Sequence, residues 1–169
     1  MSITFHPNGD VTGTNSNNFG QTGSIVKVEQ TLKKDTTVES VALATETGNL
    51  FSASFTPTSS SNKVLVRFGI HLSSIHNPVI IVNLLRGSTN IAQPTVTDTY
   101  HSTTQMWVDG DRMLNMNYEF LDSPSTTSST TYKLQWRIHA GSHTVKLNGY
   151  YNNDQYNSTS TMTLQEVSA

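Results

Sequence analysis

Apolar and polar side chains alternate residue by residue over much of this chain. In "KVLVRFGIHL" (63–72), Val64, Val66, Phe68, Ile70 and Leu72 recur at every second position. "TYKLQWRIH" (131–139) sets Tyr132, Leu134, Trp136 and Ile138 against Lys133, Gln135, Arg137 and His139. Period two is the signature of a strand with one buried face. The same pattern, bounded by Pro, Gly, Asn and Ser clusters, predicts strands at 24–32, 37–44, 50–55, 112–121, 144–150 and 161–167. No stretch sustains the 3.6-residue repeat of an amphipathic helix. The expected fold is all-β: an antiparallel β-sandwich of jelly-roll type with an extended N-terminal arm.

One predicted strand departs from alternation. "VIIVNLLR" (79–86) is apolar at nearly every position, so both of its faces should be covered. Either a loop folds over the outer face, or Val79, Ile81 and Leu85 meet a second subunit. The second alternative makes the chain a homo-oligomer.

Residues 1–23 differ from the remainder. Asn, Gly and Thr form turn clusters, with Ile3, Phe5, Val11 and Phe19 as isolated apolar groups. So few apolar groups cannot offset the entropy of ordering the segment alone. It reads either as a frayed terminus or as an arm that plugs those four side chains into pockets of another subunit or protein. The division expected is an arm at 1–23 and a sandwich at 24–169.

Composition narrows the function. The chain has 169 residues, enough for one domain, and 13% are charged, about half the usual share. Net charge is -2 and the pI is near 6.3, which offers no counterion-release grip on nucleic acid. There is no cysteine, which removes disulfides, thiolate catalysis and sulfur-ligated zinc. No signal-peptide pattern is visible at the N-terminus, and no apolar run approaches the ~20 residues that span a bilayer. No nucleic-acid partner and no membrane insertion are expected.

Candidate chemistry is sparse. The hydroxyl-rich stretches "FTPTSSSNK" (55–63) and "DSPSTTSSTT" (122–131) suit local turn bonds better than nucleophiles, and no G-x-S-x-G elbow occurs. His139 and His143 flank a short turn, as do His71 and His76, but neither pair has further ligands in view. "DGD" (109–111) reads as a hairpin turn, not a calcium loop. Glu119 and Glu166 are the carboxylates a glycosidase reading would need, and a solvated face is expected for them. Trp107, Tyr150, Tyr151 and Tyr156 either form a receptor-facing surface or cap the sandwich. No catalytic residue, metal site or cofactor is predicted, and the chain is expected not to be an enzyme.

Several stretches in order resemble one family. "GSIVKVEQT", "FTPTSSSNKVLVRF", "NLLRGSTNIA", "FLDSPSTTSSTTYKLQWR" and "STMTLQEVSA" are similar to stretches of C-terminal domains of phage tail-fibre-like proteins, especially from marine and cyanobacterial phages. The resemblance covers roughly residues 23–169. It implies a trimeric β-sandwich knob on a virion appendage and favours a virion surface protein over a receptor binder; host adsorption through a surface glycan or protein is an additional role such a knob could serve. It implies no catalytic or metal-binding residue. Such knobs usually end long fibres, whereas here only a short arm precedes the domain. A capsid decoration protein, a head fibre or a cap on another fibre protein is therefore an alternative, with the arm as the link to another virion protein.

Overall fold

The computed structural model describes residues 4–5, 11–12, 22–42, 47–75, 78–95, 100–108, 112–152 and 155–169. Two short strands, β1 (Thr4–Phe5) and β2 (Val11–Thr12), pair antiparallel within the N-terminal segment. The sandwich follows: β3 (Ile25–Lys33), β4 (Thr37–Ala42), β5 (Thr47–Phe55), β6 (Lys63–Ser74), β7 (Val79–Arg86), β8 (Thr89–Asn90), β9 (Thr104–Trp107), β10 (Met113–Asp122), β11 (Thr130–Ile138), β12 (Ser142–Leu147) and β13 (Ser160–Val167).

All pairings are antiparallel and build two sheets. In the first, β6 pairs β10 along one edge and both β13 and β12 along the other, with β3 outside β13 and β4 outside β12. In the second, β11 lies between β5 and β7, and the far edge of β7 carries β8 and β9. Leave aside the short β8 and the β4–β12 pair, and number the remaining eight sandwich strands in chain order. The sheets then read 1-8-3-6 and 2-7-4-5. That order, two interleaved Greek keys, is the jelly roll. The strand pattern read from the sequence therefore leads to the expected fold.

Alternation places the core. Val64, Val66, Phe68, Ile70 and Leu72 of β6, with Met162 and Leu164 of β13, face Phe51, Ala53 and Phe55 of β5 and Tyr132, Leu134, Trp136 and Ile138 of β11. Polar bridges tie the layers together. The Trp136 indole donates to Glu39 Oε2 of β4 at 2.7 Å. Asp122, at the end of β10, accepts from Arg86 Nη1 at 2.8 Å and from the Tyr132 hydroxyl at 2.8 Å, both in the opposite sheet. Burial, reinforced by that carboxylate, pushes the Tyr132 phenol well above its usual range.

β4 continues the line of β3 along the sheet edge, as β12 and β13 share the edge of β6, so each long line has a break. Asn148 sits at the join. It is fully buried, holds φ at 59°, and donates through Nδ2 to Lys33 O at 2.9 Å and Asp35 O at 3.1 Å. Its Oδ1 accepts from the Ser160 hydroxyl. Asn tolerates the left-handed region better than other residues with a Cβ, and its amide reaches carbonyls that the jog leaves unpaired. Asn148→Ala should destabilise the fold by about 3 kcal/mol, and Asn148→Gly by roughly 1 kcal/mol less, since glycine relieves the backbone cost but not the lost bonds. Denaturant midpoints with an unchanged slope would register this. A shift within about 0.5 kcal/mol for Asn148→Ala would deny the side chain any such role.

Candidate functional site

The doubly apolar strand β7 is covered by its own chain. On its outer face Ile81, Asn83 and Leu85 are buried, and the described parts of the β8–β9 connection, 91–95 and 100–103, pack over it. Asn83 Oδ1 accepts from Gln93 Nε2 at 3.2 Å and from Thr103 N at 3.3 Å. Arg137, beside Ile81 on β11, donates to His101 O at 2.8 Å. The loop alternative thus accounts for the apolarity of 79–86. Ile81 and Leu85 offer a second subunit almost no surface, and Val79 is half-buried.

Exposed aliphatic surface lies elsewhere, on β3 and β4. Both are outermost strands of the first sheet, and Ile25, Val26, Val28, Leu32 and Val38 are all about half exposed. Cross-strand register with β13 puts Val28, Gln30 and Leu32 on the outer face, opposite Gln165, Thr163 and Thr161. Lys27 and Glu29 turn the other way. The Lys27 ammonium lies 4.6 Å above the Phe55 ring, donates to Thr56 O and pairs with Glu29. The strand thus presents charge inward over the end of the core and aliphatic groups outward. Long outer strands with exposed apolar groups are the usual sites of strand addition and subunit contact. Alternation in the sequence located this strand but could not tell that its apolar phase lacks a partner.

The aromatic candidates separate into two groups. Trp107, 63% exposed, stands on the outer face of the second sheet, with its ring 6.0 Å from that of His139. Tyr100, 46% exposed, stacks edge-on to the same His139 at 6.2 Å. Tyr150 and Tyr156 pack edge-to-face at 5.7 Å, and Tyr150 N donates to Tyr156 O. Their segment lies over the outer face of the first sheet, where the buried Ser73 hydroxyl donates to Gly149 O. Tyr151 in the same segment is half-buried. The strand registers therefore place Trp107 and the tyrosine segment on opposite outer faces. His139, which the sequence offers only as one of a pair flanking a turn, lies between Trp107 and Tyr100.

The two carboxylates also part company. Glu119 lies on the exposed face of β10 and pairs with Arg67 at 2.9 Å, as expected of a solvated face. The pair rims an open depression of about 500 Å³ over Gly69, with Asn117, Thr161 and Thr163. A Cβ at Gly69 would come within 2.7 Å of Asn117 Oδ1, so glycine keeps this floor low. Glu166 corrects the expectation of a solvated face. It is fully buried, on the core phase of β13. Its Oε1 accepts from Thr58 N (2.7 Å), Thr58 Oγ1 (2.8 Å), Asn62 Nδ2 (2.8 Å) and Ser59 N (3.3 Å). The hydroxyl-rich β5–β6 loop is thereby tied to the last strand, and Glu119 and Glu166 do not form a pair. Among the described residues, no three His, Asp or Glu side chains converge as a metal site.

The remaining sequence candidates are quickly placed. Hydroxyls in 122–131 make local turn bonds, such as Ser128 N to Thr126 Oγ1 at 3.0 Å. The His71 ring bonds Thr159 O and Asn115. The side chains of Ile3, Phe5, Val11 and Phe19, the "DGD" turn and His76 lie outside the described residues.

Strand order and surface together define a jelly-roll β-sandwich domain with an aliphatic outer strand on one sheet and an aromatic cluster on the other. No known protein family and no curated protein matches the chain. Solved structures overlap it weakly. They include the Gx strain of infectious bursal disease virus (14% identity, TM-score 0.42, 85% of this chain and 37% of that one). The Gt strain gives 13% identity and a TM-score of 0.44 over 86% and 39% of the two chains. The VP2 subviral particle of the same virus gives 12%, 0.41, 85% and 38%. This chain thus spans well under half the length of those proteins. Overlaps at this level carry no functional argument, and the jelly-roll assignment rests on strand order.

Glu166 sets an acid limit on stability. Burial raises its pKa, but the donors from Asn62, Thr58 and Ser59 outweigh burial and hold it below the usual 4.5. A carboxyl with a depressed folded pKa contributes stability above its unfolded pKa and loses it as pH falls through the folded value. Unfolding free energy should therefore decline below about pH 4.5, and the decline should be shallower in Glu166→Gln. Denaturant titrations from pH 7 to acid test this, and parallel curves for the two proteins would contradict it.

Proposed function

We propose that this chain is a non-enzymatic structural protein of a virus particle: a knob of tail-fibre type displayed on the virion exterior and assembled as a homotrimer. The observation that carries the reading is the aliphatic outer line of β3 and β4, with Ile25, Val26, Val28, Leu32 and Val38 exposed in a chain otherwise poor in charge and rich in Ser, Thr and Asn. A monomer gains nothing from holding five aliphatic groups in water along two strands at the edge of the sheet, whereas a subunit contact buries them. The resemblance of the ordered motifs to phage tail-fibre-like domains supports the same assignment, and the trimer is taken from that resemblance.

The carboxylate arrangement supports a structural role. Glu119 is held by Arg67 on a solvated face, and Glu166 serves as a buried acceptor for four donors. Neither is placed for general acid–base work on a shared substrate. The N-terminal segment acts in this reading as the anchor. Ile3, Phe5, Val11 and Phe19 dock on another virion protein, and the sandwich faces outward towards the host.

Self-association is the step open to direct test. Light scattering on the purified full chain should return a trimer mass at micromolar concentration. Val28→Asp and Leu32→Asp, on the outer phase of β3, should each shift the chain towards monomer, since burying an unpaired carboxylate costs several kcal/mol. Lys133→Asp, on the outer face of the second sheet, should leave the mass unchanged. A wild-type monomer, or a trimer indifferent to both β3 variants, would overturn the assignment of this surface.

A further inference from the structure

Two clusters of exposed apolar groups lie on different sheets. Aliphatic residues line the edge of the first sheet, while Trp107 and Tyr100 stand on the outer face of the second, on either side of one histidine. The two surfaces call for different occupants. Flat aliphatic strands suit a second copy of the chain. Exposed aromatic faces with polar groups between them suit a ligand that is itself half apolar and half hydroxylated.

The cluster is built rather than incidental. Trp107 is set by β9, whose register pairs it with Val79 of β7. His139 is bonded to the same residue twice: its N donates to Val79 O at 3.2 Å, and its Nδ1 accepts from Val79 N at 3.1 Å. With Nδ1 as acceptor, the proton of the neutral ring sits on Nε2, so the ring has an N–H donor opposite the edge that binds the backbone. Tyr100 is set by the next residue, whose carbonyl accepts from the buried Arg137. The His139 ring is held by its own bond to the backbone, and the backbone that carries Trp107 is fixed beside it, which lowers the ordering cost of binding. On the same outer phase Gln105, two residues before Trp107, is exposed, so an amide lies on the same face as the cluster.

We infer that Trp107, Tyr100 and His139 form a saccharide-binding platform that takes the C–H face of an uncharged pyranose. Aromatic rings carry a negative face, and the C–H bonds along one side of a pyranose present a weakly positive, apolar surface to it. The sugar hydroxyls then lie at the rim, where His139 Nε2–H, the Tyr100 hydroxyl and Gln105 are available in kind. The inference does not rest on the virion reading, because a free carbohydrate-binding module would carry the same site.

The two tryptophans make the test selective. Trp136 is fully buried and bonded to Glu39, so fluorescence accessible to acrylamide belongs to Trp107. The full chain would be titrated with methyl glucosides, galactosides, mannosides and N-acetylglucosaminides, and with cello- and chito-oligosaccharides. At least one should protect Trp107 from acrylamide saturably. Trp107→Ala, followed by calorimetry with that sugar, should abolish binding, and Tyr100→Ala should weaken it about tenfold. The emission of Trp136 should stay unchanged, which excludes unfolding as the cause. Absence of protection by every sugar up to tens of millimolar would overturn the proposal, as would unaltered sugar affinity in both variants. A Trp107 already shielded in the oligomer and exposed on dissociation would also overturn it, marking the platform as a subunit contact instead.

Discussion

The pairing register of β6 is the constraint on which the rest of the fold depends. Its inner phase buries Val64, Val66, Phe68, Ile70 and Leu72, and a slip of one residue would turn all five to water. At roughly 1.5–3 kcal/mol per side chain, that loss is comparable to the whole net stability of a domain, about 5–15 kcal/mol. Because β10 pairs along one edge of β6, and β13 and β12 share the other, the same register fixes which face each of those strands turns inward. The outer face follows by subtraction: Arg67 meets Glu119, Gly69 meets Asn117, and Thr163 meets Gln30.

Several of the buried polar side chains sit where a strand ends or breaks. Asp122 joins the end of β10 to Arg86 and Tyr132 across the sandwich. Glu166 ties the last strand to the β5–β6 loop, and Asn148 holds the jog shared by the two long strand lines. These are the points where a ladder leaves backbone or loop donors without partners; Glu166 meets its donors through Oε1, while its Oε2 is buried without a hydrogen-bond partner among the described residues. The surfaces left over are distinct in position as well as chemistry. The aliphatic strands belong to the first sheet and the aromatic cluster to the second, so self-association at one need not obstruct a ligand at the other.

The strands themselves were legible because alternation is a local property. The predicted 79–86 coincides with β7, and 63–72 and 161–167 differ from β6 and β13 by two residues or fewer. The four-residue β9 is too short to alternate and exists because it pairs with β7. The predicted 144–150 runs past the true end of β12 at Leu147, although Asn148-Gly149 is a strong turn pair. Which of the two covers closes over β7, the burial of Glu166 and the exposure of the apolar phase of β3 were not legible. Each depends on which distant segments become neighbours, and period two specifies a face but not its neighbour. For the same reason Trp107 and His139 could each be singled out, but not their contact with one another or with Tyr100.

The proposed role joins these features in one object: a jelly roll assembled through its outer strands, attached by its N-terminal segment and exposing the second sheet. Image reconstruction of particles carrying either the full chain or a chain lacking residues 1–20 tests that account most directly. The account predicts threefold clusters of jelly-roll density on the particle exterior, with the second sheet outward, and their loss in the truncated form while the free protein remains folded. Particles without such density, or truncated protein at full occupancy, would contradict it.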